Sequence, residues 1–356
     1  MTMKHGGDTY TYSKLYQENL IDFSSNINPL GYPKGLEFEW IKDFKNARVY
    51  PDIKYKALRE SIGDYLACSS DEVVVGNGSM EIIDAVICNY STVQFFIPSF
   101  GEYEERAKVR NKNIISIAMD ESMTIDFDIL EESLKEESLL IVGNPNNPTG
   151  LRLAKDKLLK LYQIIRDKKG LLVLDEAFYE FCSQDYDTIE LFKPYEYENI
   201  LIIRAATKFF GLPGIRLGYA CGNKKLAETI RNQLNPWSIN CFAEIAGKYI
   251  FKDLEYIEKS KEYIANERDY LLKELGDIQG LFVYPSHANF ILIKLLNKTE
   301  DQALQYFLAH GILLRICDSF SGLEGAHVRV AIRSHEENSQ LIQVFKDFLK
   351  EEEDVH

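Results

Sequence analysis

An α/β fold, with a mostly parallel sheet between helices and a smaller α+β domain attached, is what three features of this 356-residue chain predict. Between Asp71 and about Ala205, short β-branched runs alternate with longer amphipathic stretches. The runs are apolar at every position, as strands covered on both faces by helices require. After about Asn240 the strands become sparse and the helical stretches lengthen, the texture of a separate α+β unit.

The first 45 residues carry no strong periodicity and several turn pairs, including Gly6-Gly7, Asn28-Pro29 and Pro33-Lys34. Such a segment is expected to pack over something else. Lys56–Leu66 has apolar residues at three-and-four spacing and predicts a helix. Strands follow at Glu72–Val75, Val93–Ile97, Ile114–Ile117, Leu139–Val142, Leu171–Leu174 and Ile200–Ile203, with helices at Ser79–Cys88 and Leu153–Asp167. A long charged helix is predicted from Ala243 to Leu275, then a strand at Asn289–Lys294. A helix at Asp301–His310, closed by Gly311, leads to strands at Ile312–Ile316 and Val328–Ile332. Residues 46–240 are expected to form the large domain, and 1–45 with 241–356 the small domain and an N-terminal arm. Glu351–Asp354 reads as a solvated acidic tail.

Composition narrows the function. With 46% hydrophobic and 27% charged residues the chain is an ordinary globular protein. A formal charge of −14 disfavours binding to nucleic acid or to an anionic membrane surface. Six scattered cysteines include no C-x-x-C pair and read as reduced thiols. Residues 1–16 hold no apolar leader core, and no stretch approaches about 18 uninterrupted apolar residues. A cytoplasmic enzyme without a metal site is expected.

Four motifs in order carry the chemistry. Val73-Val74-Val75-Gly76-Asn77-Gly78-Ser79 runs from strand to helix and offers unpaired amides at a positive dipole end, suited to a phosphate. Alone, a tight Asn-Gly turn with a serine cap is the readier explanation of it. Gly143-Asn144-Pro145-Asn146-Asn147-Pro148-Thr149-Gly150 puts side-chain amides at the carboxyl end of a strand, where α/β ligands bind. Asp175 follows a buried apolar strand, where a carboxylate is costly unless it meets a cation. Lys208 and Arg216 stand eight residues apart among glycines and apolar residues. A lysine so surrounded tends to lose its proton, which suits Schiff-base chemistry. Together the four read as a pyridoxal-phosphate site.

The order G-N-G-S, N-P-N-N-P-T-G, D-E-A-F and T-K-x-x-G-L-P-G-x-R-L-G resembles the class I/II aminotransferase superfamily, pyridoxal-phosphate enzymes of fold type I, over essentially the whole chain. By that resemblance Lys208 would form the Schiff base with pyridoxal 5'-phosphate, Asp175 would hold the pyridinium proton, and Asn147 would bond the ring oxygen. Gly78, Ser79 and Arg216 would bind the phosphate, with Met80 and Thr207 beside them, and Phe100 would stack on the ring. Tyr55, in Tyr50-Pro51-Asp52-Ile53-Lys54-Tyr55, resembles a tyrosine that reaches the cofactor phosphate of the neighbouring subunit, which implies a homodimer with shared active sites.

The chain ends discriminate within the superfamily. His5-Gly6-Gly7-Asp8, Asp22-Phe23-Ser24-Ser25-Asn26-Ile27-Asn28-Pro29-Leu30-Gly31 and Leu314-Arg315-Ile316-Cys317-Asp318-Ser319-Phe320-Ser321-Gly322-Leu323 resemble the L-threonine-O-3-phosphate decarboxylases of cobalamin biosynthesis. Histidinol-phosphate aminotransferases, which work with 2-oxoglutarate, are the next most similar group. Arg329 resembles the substrate-carboxylate arginine. His5, Asn28, Arg315 and Arg333 are candidates for a substrate phosphate, with surface salt bridges as their ordinary alternative. Two departures stand out. Ala205 occupies the position of a usual phosphate-binding serine, and Phe178 that of a tyrosine on the ring oxygen. Loss of the second hydroxyl favours a decarboxylase-like site, and the cleft is expected to be positive on a negative protein.

Overall fold

The computed structural model describes residues 5–16, 20–183 and 185–350. The first elements are α1 (Thr9–Tyr16), β1 (Ile21–Asp22), α2 (Leu36–Asp43), α3 (Lys56–Leu66), β2 (Val73–Asn77), α4 (Ser79–Cys88), β3 (Thr92–Ile97) and α5 (Glu102–Val109). Then come β4 (Asn113–Ala118), α6 (Phe127–Ser133), β5 (Leu139–Gly143), α7 (Lys155–Asp167), β6 (Leu171–Asp175), α8 (Thr188–Phe192), β7 (Ile200–Ala205), β8 (Leu217–Gly222) and α9 (Lys224–Gln233). The remainder is α10 (Cys241–Tyr249), α11 (Leu254–Gly276), β9 (Leu281–Val283), β10 (Phe290–Leu295), α12 (Glu300–Ala309), β11 (Ile312–Leu313), β12 (Arg315–Ile316), β13 (His327–Ala331) and α13 (His335–Lys350).

Seven strands form the main sheet in the order β2-β8-β7-β6-β5-β3-β4. The pairs β3·β4, β3·β5, β5·β6 and β6·β7 are parallel, while β8 runs antiparallel to both of its neighbours. Alternate residues enter two separate cores. Leu140, Val142, Leu172, Leu174 and Ile202 pack on one side, and Ile141, Val173, Leu201 and Ile203 on the other, with Ile82 and Val86 of α4 and Ile230 of α9. That double burial is why the strand runs are apolar throughout. The functional consequence is that β5, β6 and β7 end side by side, carrying the Asn-Pro loop, Asp175 and the turn to Lys208.

The second sheet, β12-β13-β10-β9, is antiparallel throughout. Its core is shared with α11, α12 and α13 through residues such as Leu271, Phe307, Ile293 and Phe345. Thr299 and Gln302 form a reciprocal capping box at the start of α12, satisfying two backbone donors that the first turn leaves open.

Two expectations are corrected, in the segments 312–316 and 243–275. The segment 312–316 is two strands: β11 pairs with β1, and β12 with β13. Leu314 between them is buried, so the apolar run is continuous although the pairing is not. The stretch 243–275 is broken by a 3-10 turn at Ile250–Lys252, and Asp253 caps a new helix. The first 45 residues hold α1, β1 and α2, and Ser24, Ser25 and Asn26 lie against the cavity described below. The run Glu351–Asp354 lies outside the described residues. No helix among the described residues is long and apolar enough to cross a membrane, and no disulfide joins the six cysteines.

Candidate active site

A cavity of about 480 Å³ opens at the carboxyl ends of β5, β6 and β7, the usual ligand position in an open α/β sheet. Asp175, Thr207 and Lys208 line it together. Asp175 ends β6 and is buried; its Oδ2 accepts a hydrogen bond from the Tyr103 hydroxyl at 2.8 Å and its Oδ1 one from the Ala177 N–H at 3.1 Å. Burial raises its pKa, while those two bonds and the Lys208 charge pull it down. Lys208 shows the opposite shift. Burial, then the charges of Arg329 and Arg216, lower its pKa from 10.5 to about 8.

Ser79, Met80 and Arg216 form the adjoining wall where α4 begins. Gly78 precedes the helix with φ of +77°, a left-handed conformation that glycine adopts without a Cβ clash. A Cβ there would strike the Arg216 guanidinium, and a Cβ on Gly218 would strike the backbone of Gly78 and Ser79. The two glycines therefore let the helix N-terminus, β8 and the arginine converge. Open helical N–H groups beside a guanidinium make an anion site. Phe100 also lines the cavity and meets Tyr103 edge-on at 5.6 Å.

Opposite, Arg315 and Arg329 are register partners across β12 and β13, and both line the cavity. Arg329 donates to Asn147 Oδ1 and to the Ser24 carbonyl, the latter at 2.8 Å. Burial lowers its pKa to about 10. Arg315 donates to the Ile316 carbonyl and, at 2.7 Å, to the Ser319 hydroxyl. His5 stands at the mouth, 3.0 Å from Glu102.

Four predicted residues do not line the cavity: Gly78, which adjoins Ser79 of its wall, and Asn28, Arg333 and Tyr55. Asn28 is buried under the lysine loop, donating to the Phe209 carbonyl at 2.8 Å and to Ser260 Oγ at 2.9 Å, while its backbone N–H bonds the Lys208 carbonyl at 3.0 Å. It braces that loop, because its amide is fully engaged there. Arg333 makes a two-point contact with Glu337 at 3.1 and 3.2 Å. Tyr55 is buried, and its hydroxyl accepts a bond from the Ile239 N–H at 3.1 Å.

The structure adds Asn26, 2% exposed and lining the cavity, whose Oδ1 has no partner among the described residues. It adds Tyr103 as well. Asn26 stands two residues before Asn28 in the same motif, which is the signal that points to it. Tyr103 lies in a charged helix with no motif of its own. Ala205 and Phe178 both line the cavity, while Tyr179 turns away to donate to Asp187 at 2.5 Å. The cleft is not uniformly positive: Glu102, Glu104 and Glu105 of α5 form part of its wall.

An amine with a depressed pKa, a buried acid, a helix terminus with an arginine and two further arginines make a cavity whose chemistry suits a nucleophile working among anionic groups. The chain belongs to the class I and II aminotransferases, whose family model matches residues 18–345. It is 38% identical over 354 residues to a Caldanaerobacter subterraneus protein provisionally named a threonine-phosphate decarboxylase, covering 98% of this chain and 94% of that one. It is 30% identical to the threonine-phosphate decarboxylase of Salmonella typhimurium, covering 97% and 96%. The solved histidinol-phosphate aminotransferase of Clostridium acetobutylicum superposes with a TM-score of 0.86 at 38% identity, over 92% of this chain and 98% of that one.

Proposed function

We propose that this chain is a pyridoxal-phosphate enzyme that decarboxylates L-threonine O-3-phosphate to 1-amino-2-propanol phosphate. The observation that carries the reading is the buried pair Arg315 and Arg329, side by side on β12 and β13 and facing the cavity that holds Lys208. Two guanidiniums at that spacing suit one small substrate with two anionic groups. The segments that supply Arg315 and the facing Ser24 and Asn26 are those that resemble the decarboxylase group.

The residues fit the cofactor. Gly78 and Gly218 have no room for a Cβ, and this close packing sets the N-terminus of α4 beside the Arg216 guanidinium, an arrangement suited to the cofactor's phosphate. Asp175 would hold the ring-nitrogen proton and Lys208 the aldehyde carbon. Bound there, pyridoxal phosphate would supply an electron sink for a carbanion at the substrate α-carbon. Lys208, with its lowered pKa, would take and return a proton near neutral pH. Tyr103 would keep Asp175 aimed at the ring. Arg329 and Arg315 would hold the substrate by its anionic groups and orient it for loss of its carboxylate rather than of its α-hydrogen. Asn147 gives its oxygen to Arg329, so its amide nitrogen would donate to the ring oxygen and link cofactor and substrate.

We further infer a homodimer, with residues 46–240 as the cofactor domain and 1–45 with 241–356 as the small domain. The test is to incubate the purified protein with pyridoxal phosphate and L-threonine O-3-phosphate and follow CO2. One CO2 per aminopropanol phosphate, without 2-oxoglutarate, is expected. The likeness to the Clostridium enzyme favours a second reading, transamination of histidinol phosphate. Absence of CO2, with glutamate formed from histidinol phosphate and 2-oxoglutarate, would establish that reading instead.

A further inference from the structure

Behind the sheet from the cavity lies a cluster of buried charges that the chemistry above does not use. Successive strand residues face opposite sides. Ala205 and Asp175 face the cavity, so their neighbours Arg204 and Glu176 point the other way. Arg204 is 3% exposed, Glu176 0% and Glu180 1%. The Arg204 Nε donates to Glu176 Oε2 at 3.0 Å, and its Nη2 lies 3.3 Å from both Asp187 Oδ2 and Thr188 Oγ1. Its guanidinium stacks 3.5 Å over the Tyr179 ring. Thr188 donates to the same Glu176 oxygen at 2.7 Å, and Tyr219 donates to Glu180 at 3.1 Å.

A buried ion pair adds little stability over apolar residues of the same volume, although removing one partner alone is strongly destabilising. What such a pair can supply is a fixed geometry. The Glu176 N–H donates to the Ile203 carbonyl at 2.7 Å, beyond the pairing of Asp175 with Ile203. The Arg204–Glu176 contact therefore closes with side chains the same junction that this backbone bond closes. Asp175 precedes Glu176 directly, and Lys208 follows Arg204 by four residues. Burial pushes the Glu176 carboxyl up to about 7 against the pull of Arg204, and its Oε1 has no partner among the described residues. Both side-chain bonds to Glu176 thus converge on its Oε2.

We propose that Arg204 is the positioning residue of this site: by clamping Glu176 across β6 and β7, it fixes the separation between Asp175 and Lys208. The inference rests on the reading of those two groups as the cofactor's contacts, and not on which reaction follows.

The test compares pyridoxal-phosphate-loaded wild type with Arg204→Met/Glu176→Met, which removes both charges while keeping volume, and with Glu176→Gln. Cofactor affinity, visible circular dichroism of the bound cofactor and the midpoint of its absorbance change with pH are measured. The double variant is expected to melt cooperatively yet bind the cofactor roughly tenfold more weakly, with an altered dichroic band and a shifted midpoint. Glu176→Gln should shift the midpoint in the same direction by less. A folded double variant with wild-type affinity, dichroism and midpoint would overturn the proposal. If the double variant does not fold, Glu176→Gln decides, and an unchanged midpoint and dichroic band overturn it. Wild-type protein that takes up no pyridoxal phosphate would sink the reading of the site as well, which separates the two failures.

Discussion

Lys208 is held where a charged amine is poorly accommodated, and the consequence can be measured. Its pKa is 10.5 in an unfolded chain and about 8 in the fold. Below pH 8 both states carry the proton, and folding bears the whole cost of burying it. Between pH 8 and 10.5 the folded chain holds fewer protons than the unfolded one, so stability rises with pH across that window, and above it the cost is gone. Lys208→Met should therefore stabilise the cofactor-free protein at pH 7 by on the order of 3 kcal/mol, while abolishing activity. Urea denaturation at pH 7 and at pH 9.5 checks this, and the gain should shrink at the higher pH. An equal gain at both values would show that desolvation is not its source. Asp175 was legible in the sequence because it puts a charge at the end of an apolar strand, and Lys208 because it stands eight residues before Arg216 among glycines and apolar residues. Tyr103, which holds Asp175, was not. A tyrosine between glutamates in a helix gives no sign of the contact it makes across the sheet.

Elements were legible where periodicity and chemistry agree. The bounds of α3 and α4 follow directly from their apolar spacing, and the parallel strands follow from runs that two cores make apolar throughout. By contrast β8, Leu-Gly-Tyr-Ala-Cys-Gly, went unread because two glycines interrupt its pattern. The first of these is there for packing: Gly218 touches the backbone where α4 begins. Gly218→Ala should separate β8 from α4, destabilising the chain by about 1–3 kcal/mol. It should also weaken pyridoxal-phosphate binding, since the helix terminus would withdraw from Arg216. Gly276→Ala, at the end of α11 with open space around it, is the control and should leave cofactor affinity unchanged. Fluorescence titration and thermal melts of both variants check this, and equal affinities would remove β8 from the account of the phosphate cradle.

At the scale of the whole molecule, charge and apolar surface are separated. The −14 charge reaches the cavity wall through the glutamates of α5, yet Arg216, Arg315 and Arg329 converge inside the same cavity. An anion is therefore selected by the interior against the field of the exterior. Exposed apolar side chains concentrate instead on one stretch of chain. Phe38, Ile41, Phe44, Val49, Tyr50 and Ile53 are all exposed, Ile41 at 76% and Tyr50 at 80%, and Tyr50 meets the half-exposed Trp237 at 4.8 Å. Large contiguous apolar patches on soluble proteins mark interaction surfaces, and a second copy of this chain is the partner that the proposed homodimer supplies. This stretch leads directly into Tyr55, and through Trp237 it touches the loop that carries Ile239, the bonding partner of Tyr55. Association here would thus press on the segment expected to serve the neighbouring site. Light scattering should give the wild type twice the 41.0 kDa chain mass, and Phe38→Glu/Ile41→Glu the single-chain mass with weakened cofactor binding. The two charges would have to be desolvated at the interface without partners. A variant that stays dimeric would move the interface elsewhere. One that becomes monomeric with full cofactor affinity and activity would show that each site is complete within its own chain.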